Sequence, residues 1–275
     1  MNYHICIIHP KENFFYGLIF KEITLLLLHS LNDLGITCTL KINQINKNSI
    51  NLFLGTIHLN YDNIPRDIKY IPYQLEQLST DEGWYKELFG MHNFLQNAEQ
   101  IWDYSLTNID FLQSKNIQAK YLPIGYHSAL EIIPTAEKNI DILFYGSINE
   151  RRTKILDKLI AKGLKVTTLS SLLGKQRDEY IARAKIVLNI HYYDMKIFES
   201  PRITYLLNNK VFVITENSTD NPYPKIDLVS VPYEQLVEEC IKRLADWENS
   251  QKIAELNYRQ FKENYPMVEF LKKVI

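Results

Sequence analysis

The feature that most constrains the fold is an alternation of short apolar runs with helical patterns along nearly the whole chain of 275 residues. Short apolar runs bounded by Gly, Pro or Asn are typical of buried strands, and longer stretches with a 3.6-residue period are typical of helices. In the first half, this pattern predicts strands at 3–8, 37–42, 50–54, 69–73, 100–104 and 118–122, and helices at 17–34, 84–96 and 107–115. In the second half, it predicts strands at 140–145, 164–169, 186–190, 211–215 and 226–231, and helices at 149–162, 177–184, 200–208 and from 233 onward. Strands that alternate with helices favour an α/β fold with parallel, doubly wound sheets.

Two such series meet near Pro123, Gly125 and Pro134, which predict a hinge. The chain length suits two domains of about 120–150 residues each. We expect a first domain at 1–125, a hinge at 126–137, a second domain at 138–257, and a C-terminal helix at 258–275 that packs back toward the first domain. Disorder is excluded, because 46% of the residues are hydrophobic and no low-complexity tract occurs.

The charge of the chain is small overall but unevenly distributed. The net charge of −1 argues against a nucleic-acid partner, because a dedicated nucleic-acid binder carries a strong basic excess. Residues 1–135 hold nine basic and thirteen acidic residues, a net charge of −4, whereas 138–202 hold thirteen and seven, a net charge of +6. A local cationic field on a near-neutral protein suits a small anionic ligand, although a solvated basic face explains the count equally well.

Cysteine use and apolar segments bear on location. Cys6, Cys38 and Cys240 are dispersed without metal-ligand spacing, which is typical of reduced thiols in a cytoplasmic protein. The most apolar stretch, 14–28, contains Lys21 and Glu22 and is too short to span a bilayer. We expect a buried helix there, and peripheral contact with the inner face of a membrane is the alternative. The sequence contains no GxGxxG, P-loop, HExxH or GxSxG motif, so no cofactor or metal is expected.

Two segments at predicted strand ends carry the residues of an anion site. Ligands of open α/β sheets bind beyond the carboxyl ends of the strands. Residues 146–152 and 189–202 lie at such ends, and each segment leads into a helix whose first backbone amides attract anions. At the second helix we expect Ser200 as the N-cap and Pro201 at the first helical position. Arg202 in that first turn opposes the helix dipole, so an acidic ligand would relieve the repulsion.

Two helix N-termini with three arginines match the requirements of a diphosphate. The expected diphosphate ligands are Gly146, Ser147, Arg151, Arg152 and Arg202, and Ser200 is expected among the other donor-binding residues. The residues expected to add sugar or ribose contacts, or to extend the basic field, are Arg177, His191, Tyr192 and Glu199. Each residue alone also has a structural explanation, because Ser-Pro helix starts are common, arginines often lie on solvated surfaces and histidines at strand ends often pack.

Three segments resemble the donor domain of glycosyltransferases with the B-type fold: 141–146 (Asp-Ile-Leu-Phe-Tyr-Gly), 184–193 and 198–216. Segments 73–77, 102–105 and 122–126 resemble the acceptor half and the crossover of the same family. The resemblance covers nearly the whole chain and implies two Rossmann-like doubly wound domains that face each other across a cleft. It also implies a nucleotide-diphosphate sugar as co-substrate, with arginines and helix amides rather than a metal neutralising the leaving diphosphate.

The chain departs from this family at one position. Retaining members usually carry two glutamates eight positions apart, and the second would fall on Tyr205. Glu199 stands at the helix start instead, somewhat as in inverting fucosyltransferase-like enzymes, so the stereochemical outcome is left open. An inverting reaction needs a base for the acceptor hydroxyl, and the candidates at strand ends of the first half are His9, Glu76 and Asp103. Helix capping for Asp103 and an ion pair for Glu76 are the structural alternatives.

We therefore expect a glycosyltransferase that moves a sugar from a nucleotide-diphosphate sugar to a glycan, a lipid-linked sugar or a protein, as in polysaccharide biosynthesis. One alternative is a non-catalytic nucleotide- or sugar-binding module of a larger glycan-assembly complex, which the missing second glutamate favours. Another is a DNA-modifying glycosyltransferase, which shares the fold. Against DNA stands the charge of −4 in the first half, since duplex DNA requires the opposite sign.

Overall fold

The computed structural model describes residues 2–9, 19–78 and 89–275. The chain separates into two compact units: unit 1 holds Met1–Ala129 together with Pro266–Ile275, and unit 2 holds Leu130–Tyr265. The boundary between Ala129 and Leu130 falls within the segment 126–137, whose role as a hinge stays a prediction. Part of the apolar stretch, 14–18, and the predicted helical residues 84–88 lie outside the described residues.

Strands and helices are interspersed along both units, with the second, third and fourth strands of unit 1 in direct succession. Unit 1 begins with β1 (Tyr3–Ile7), α1 (Lys21–Asp33), β2 (Cys38–Ile42), β3 (Ile50–Leu54), β4 (Lys69–Gln74), α2 (Phe89–Gln96), β5 (Trp102–Asp103), α3 (Leu106–Ser114) and β6 (Lys120–Tyr121). Unit 2 holds β7 (Ile140–Tyr145), α4 (Glu150–Ala161), β8 (Val166–Leu169), α5 (Gly174–Arg183), β9 (Ala184–Asn189), α6 (Ser200–Asn208), β10 (Val213–Glu216), β11 (Val229–Val231), α7 (Leu236–Ala245) and α8 (Trp247–Asn264). The last helix, α9 (Met267–Leu271), belongs to unit 1.

Unit 1 contains a six-stranded sheet in the order β2-β1-β3-β4-β5-β6, and its paired strands run parallel. The strands β1 and β3 are buried along their whole length, as the continuous apolar runs predicted, because a parallel sheet is covered on both faces. On one face, the rings of Phe53, Tyr70 and Phe94 pack together, with Tyr70 and Phe94 stacked at 4.7 Å between centroids. The helix α9 packs on α1, and the backbone N–H of Met267 donates to Tyr126 O at 2.9 Å.

Unit 2 contains a five-stranded parallel sheet in the order β8-β7-β9-β10-β11. Alternate residues of β7 enter two different cores: Phe144 lies in one, with side chains of α4 and α7, and Leu143 lies in the other, with side chains of α5 and α6. Helices therefore cover both faces of the sheet. Burial of such apolar side chains contributes about 1.5–3 kcal/mol each, which anchors the helices so that their first turns lie at the sheet edge.

The predicted α/β class with two doubly wound parallel sheets is confirmed, and the predicted strands are present with ends that shift by a few residues. Two local predictions are wrong. The helix expected at 177–184 begins at Gly174, and Ala184 already starts β9. Ser200 is the first residue of α6 and not its N-cap; the cap is Glu199, whose carbonyl accepts from the N–H of Ile203 at 3.0 Å.

Candidate functional site

The sheet of unit 2 creates a crevice between the carboxyl ends of β7 and β9. These strands are neighbours, yet the helices that follow them, α4 and α6, cover opposite faces of the sheet. Ligands of open α/β sheets bind at such a switch point, because the chain diverges there and leaves the strand ends open. The borders of this β7–β9 crevice are Gly146 and Ser147 after β7, and Ile190 and His191 after β9.

Gly146 lies close to the guanidinium of Arg202. Gly146 has a φ of 130°, and a Cβ at this position would lie 2.8 Å from Nη2 of Arg202. Nη1 of Arg202 donates to Asn189 Oδ1 at 2.7 Å and lies 3.0 Å from Glu199 Oε2, while the guanidinium stacks over Tyr145 at 4.9 Å. The positive φ therefore favours glycine at 146, and a Cβ at this position would displace the guanidinium of Arg202.

The carboxylate of Glu199 lies close to two arginines and a histidine of the crevice. Its carboxylate contacts Arg202 at 3.0 Å, Arg152 at 3.5 Å and Nδ1 of His191 at 3.6 Å. Burial opposes ionisation, but the nearby guanidinium groups of Arg202 and Arg152, together with His191, lower the pKa of the Glu199 carboxyl to about 2. Glu199 is therefore ionised at neutral pH and fixes the position of Arg202.

Arg152 is buried and holds the two edges of the crevice together. Its guanidinium donates to the carbonyl of Ile190 from Nε at 2.9 Å and from Nη2 at 2.6 Å, and to the carbonyl of Ser147 from Nη1 at 2.8 Å. Its backbone N–H is capped by Asn149 Oδ1 at 3.0 Å. Burial lowers the pKa of Arg152 to about 10, so the side chain stays charged at neutral pH. Arg152 thus ties the turn after β7 to the end of β9.

Arg151 pairs with Glu216, which is not among the residues predicted from the sequence, and Nη1 of Arg151 also donates to the carbonyl of His191 at 3.2 Å. Both terminal nitrogens of Arg151 bond to the Glu216 carboxylate, which also accepts from the backbone N–H of His191 at 3.2 Å and lies 3.3 Å from Lys196 Nζ. Burial opposes ionisation, but the bonds from Arg151 lower the pKa of Glu216. Its position as an acidic residue at the end of an apolar strand is the signal that could have identified it.

The three arginines therefore differ in the hydrogen bonds that they can still make. The guanidinium of Arg152 already donates hydrogen bonds to backbone carbonyl groups through its Nε and through both terminal nitrogens. Arg202, in contrast, bonds through Nη1, and its Nε and Nη2 have no hydrogen-bond partner within the described residues. A guanidinium carries five N–H donors, so Arg202 keeps donors for a ligand at the crevice.

The other residues predicted near the donor have varied surroundings. His191 is buried, and its Nε2 lies 3.2 Å from Ser218 Oγ. Tyr192 is 40% exposed and packs edge-on against Tyr193 at 4.9 Å, which leaves part of its ring at the surface beside the crevice. Ser200 is buried in the first turn of α6, where its backbone N–H bonds to Phe198 O at 2.8 Å.

Arg177 lies on α5, beneath the crevice. Its guanidinium donates to Asp178 Oδ1 at 2.7 Å and stacks over Tyr205 at 4.7 Å. It also lies 5.5 Å from the ring of Tyr145, the same ring that Arg202 contacts. Arg177 is buried with these partners, so the structure brings it near the crevice within a packed polar cluster.

The candidate bases of unit 1 lie at the carboxyl ends of β1, β4 and β5. His9 follows β1, and its backbone exchanges hydrogen bonds with the Asn43 side chain at 2.7 and 2.8 Å. Asn108 joins the other two, because its Nδ2 donates to Glu76 O at 2.7 Å and to Asp103 Oδ1 at 3.1 Å. Since β3 and β4 separate β1 from β5, the structure brings Glu76 and Asp103 together but leaves His9 apart.

Burial distinguishes these two carboxyl groups. Asp103 is fully buried, and burial raises its pKa well above the ordinary value despite hydrogen bonds from Ser105 and Asn108. Burial also raises the pKa of Glu76, whose side chain is partly accessible. A carboxyl with a raised pKa and some access is the better match to a general base near neutral pH.

Two absences hold for the parts of the chain that the structure describes. Among residues 2–9, 19–78 and 89–275, no group of three or more His, Cys, Asp or Glu side chains could hold a metal ion. None of the helices within these ranges combines the length and the apolar character that crossing a bilayer requires.

The sequence is similar to proteins of a mimivirus. No family model matches it. Uncharacterized protein R358 of Acanthamoeba polyphaga mimivirus is 30% identical over 214 residues, which cover 74% of this chain and 73% of R358. The chain belongs to the family of R358. Uncharacterized protein L137 of the same virus is also 30% identical over 170 residues, but the chain spans only 23% of its length.

Solved structures identify the fold. AviGT4, a glycosyltransferase involved in avilamycin A biosynthesis, matches with a TM-score of 0.57 and 10% identity over 98% of this chain and 96% of its own. A DNA-modifying β-glucosyltransferase matches with a TM-score of 0.55 and 14% identity over 99% and 94%. A variant of TarM from S. aureus, in a complex that includes UDP, matches with a TM-score of 0.59 and 9% identity over 94% of this chain and 57% of its own. The chain has the B-type glycosyltransferase fold, as the sequence resemblance predicted.

Proposed function

We propose that the protein transfers a sugar from a nucleotide-diphosphate sugar to an acceptor, with the diphosphate bound in the β7–β9 crevice. The observation that carries this proposal is the placement of Arg202. This residue lies in the first turn of α6, close to Gly146, and keeps N–H donors for a ligand. The shared fold supports the same class of reaction, because B-type glycosyltransferases such as AviGT4 have this arrangement of sheets. Glycans, lipid-linked sugars and proteins are the acceptors to test.

The charge balance of the crevice suits a diphosphate. Arg152 and Arg202 carry two positive charges against the single negative charge of Glu199, an excess of one. The first turns of α4 and α6 add the positive ends of two helix dipoles, each equivalent to about half a charge. Backbone amides and a guanidinium that are fixed before the reaction stabilise the charge that develops on a leaving diphosphate, without a metal ion.

Glu199 and Glu76 have separate roles in this proposal. Glu199 holds Arg202 in place and, being ionised, accepts hydrogen bonds from hydroxyls of the ribose or of the transferred sugar. Glu76, in unit 1, accepts the proton of the acceptor hydroxyl, because its raised pKa and partial exposure suit a base. Asp103 lies fully buried beside it and acts through the Asn108 bond to the Glu76 backbone, as a positioning residue.

Calorimetric titration with UDP, GDP and ADP tests the binding site. We expect at least one nucleotide diphosphate to bind the wild type and Arg202→Ala to weaken that binding at least about tenfold, equivalent to about 1.4 kcal/mol. Arg259→Ala is the matched control, because Arg259 is 70% exposed and pairs only with Glu255 on α8 within the described residues. The site assignment fails if none of these ligands binds or if Arg202→Ala binds as well as the wild type.

Turnover distinguishes an enzyme from a binding module. A transferase releases free nucleotide diphosphate slowly from a bound nucleotide sugar through transfer to water, and faster when a suitable acceptor is present. We expect this release to persist in a metal chelator and to fall in both Arg202→Ala and Glu76→Gln. Tight binding of the nucleotide sugar without any release, across a panel of glycan, lipid-linked and peptide acceptors, would favour the non-catalytic module.

A further inference from the structure

Unit 2 contains a second pocket, which is lined by Arg151 and is separate from the β7–β9 crevice. It has a volume of about 400 Å³ and opens at the carboxyl ends of β10 and β11. Its inner wall is formed by Arg151, Lys196 and Glu216, its floor by Pro232 and Tyr233. Pockets that bind small molecules span about 300–1,000 Å³, so this one is large enough for a sugar ring with a substituent.

The inner wall of this pocket has more hydrogen-bond donors than acceptors. An ionised carboxylate has about four lone-pair sites. Those of Glu216 face both terminal nitrogens of Arg151, the His191 backbone N–H and the Lys196 ammonium. Glu216 therefore has no acceptor capacity left for a ligand. The Lys196 ammonium carries three donors on a side chain that is 40% exposed, so a ligand can still bind to it.

The neighbouring groups extend the same excess of donors. Asn217 lines the pocket and its Oδ1 accepts from Ser230 Oγ at 2.8 Å, while its Nδ2 has no hydrogen-bond partner within the described residues. Glu234 also lines the pocket, but it is exposed at the rim, where solvent screens its charge. The inner wall therefore holds two cations against one buried carboxylate, an excess of one positive charge.

We propose that this pocket binds an acidic sugar, with its phosphate or carboxylate group on Lys196 and Asn217 and its ring against Pro232 and Tyr233. Charged oxygen acceptors match the excess donors and the excess charge of the wall. The apolar floor matches the C–H face of a sugar ring, and Arg151 fixes Tyr233 by stacking at 4.1 Å. This site is separate from the proposed diphosphate site, and its test does not depend on nucleotide binding.

Calorimetry on the full chain with glucose 6-phosphate, glucuronic acid, glucose and inorganic phosphate tests the proposal. We expect at least one of the two acidic sugars to bind at least about tenfold more tightly than glucose and inorganic phosphate. The comparison between them shows whether the pocket prefers a phosphate or a carboxylate. Saturation with UDP is expected to leave this binding unchanged.

Variants separate this pocket from the crevice. Lys196→Gln is expected to weaken the acidic sugar at least about tenfold and Lys196→Arg to retain it, while Lys162→Gln, at an exposed position near the end of α4, has no effect. Asn217→Asp preserves the acceptor for Ser230 but adds a negative charge to the wall, so it should abolish binding of the acidic sugar. This variant provides the test if Lys196→Gln does not fold.

Three results would overturn the proposal. The first is that neither acidic sugar binds at millimolar concentration. The second is that inorganic phosphate binds as tightly as glucose 6-phosphate, since the ring would then contribute nothing. The third is that Arg202→Ala weakens the acidic sugar while Lys196→Gln and Asn217→Asp do not, which would place the ligand in the crevice.

Discussion

Substitution of Gly146 by alanine tests how closely Arg202 depends on the turn after β7. The added Cβ meets Nη2 of Arg202 at 2.8 Å, whereas ordinary contacts begin at 3.4 Å, so the guanidinium must move by about half an ångström. Its bonds to Asn189 and Glu199 and its stacking on Tyr145 oppose that movement. Charge-assisted hydrogen bonds contribute about 1.5–3 kcal/mol, and a shift of this size forfeits a part of that energy.

The backbone adds a second cost, which a matched glycine isolates. Gly146 has a φ of 130° and Gly163, at the end of α4, has a φ of 79°, and an alanine at either position is strained by about 1–3 kcal/mol. A Cβ at Gly163 meets nothing within 4 Å, so Gly163→Ala reports the cost of the backbone alone. We expect both variants to lose stability in urea unfolding, with the larger loss in Gly146→Ala.

Nucleotide binding separates the two variants more sharply. Gly146→Ala should bind UDP, or whichever nucleotide diphosphate the wild type prefers, at least about tenfold more weakly, while Gly163→Ala binds like the wild type. Because Gly146→Ala acts through Arg202, it should cause almost no further loss of binding when Arg202 is already alanine. Additive losses in this double-mutant cycle, or unchanged binding in Gly146→Ala, would refute the reasoning.

Three further predictions concern ionised and buried groups. The pKa of Glu199 is about 2 in the folded protein against 4.5 in the unfolded chain. Its ionised form therefore contributes about 3 kcal/mol to the free energy of unfolding above pH 4.5, and this contribution is lost as the pH falls toward 2. Glu199→Gln should flatten that part of an acid-unfolding curve followed by circular dichroism. Burial raises the pKa of Asp103, so its neutral form is favoured in the folded state and the wild type loses stability as the pH rises through that pKa; Asp103→Asn should be more stable than the wild type at neutral pH in thermal melts, and the difference should shrink in acid. Arg152→Met should cost about 1–3 kcal/mol in urea unfolding, because it leaves the buried carbonyl of Ile190 without its partner and removes the bond to the carbonyl of Ser147, while Glu199 keeps Arg202; an unchanged stability would contradict its bridging role.

The general position of the candidate site could be predicted because it follows from local rules. A strand that ends in glycine and is followed by a helix from about 149 reads directly from residues 140–150, and the structure has β7, Gly146 and a helix from Glu150 with Asn149 as its cap. Such features depend on neighbours within a few positions in the chain, where backbone geometry dominates. The same holds for the strand ends that bring Gly146 and His191 to one edge of the sheet.

The roles of individual side chains could not be predicted, because they depend on partners far apart in the chain. Arg151 and Arg152 are adjacent in sequence and lie on one helix, but the turn of an α-helix separates neighbouring side chains by about 100°. One consequently meets Glu216, 65 positions away, and the other meets the carbonyl of Ile190, 38 positions away. The sequence does not distinguish Arg151, Arg152 and Arg202, whereas the structure gives each of them different partners and a different role.

The separate partners of the basic residues also explain where the basic excess of residues 138–202 acts. Part of it is neutralised from outside the segment, because Glu216 pairs with both Arg151 and Lys196. At the sheet edge, one positive charge remains on each side of Arg151: one in the β7–β9 crevice, and one in the pocket at Lys196. The two sites share no carboxylate, since Glu199 serves the first and Glu216 the second, and His191 contacts both carboxylates. A ligand in one site therefore does not compete for the carboxylate of the other, and the two sites are connected through His191 and through the adjacent Arg151 and Arg152 of α4.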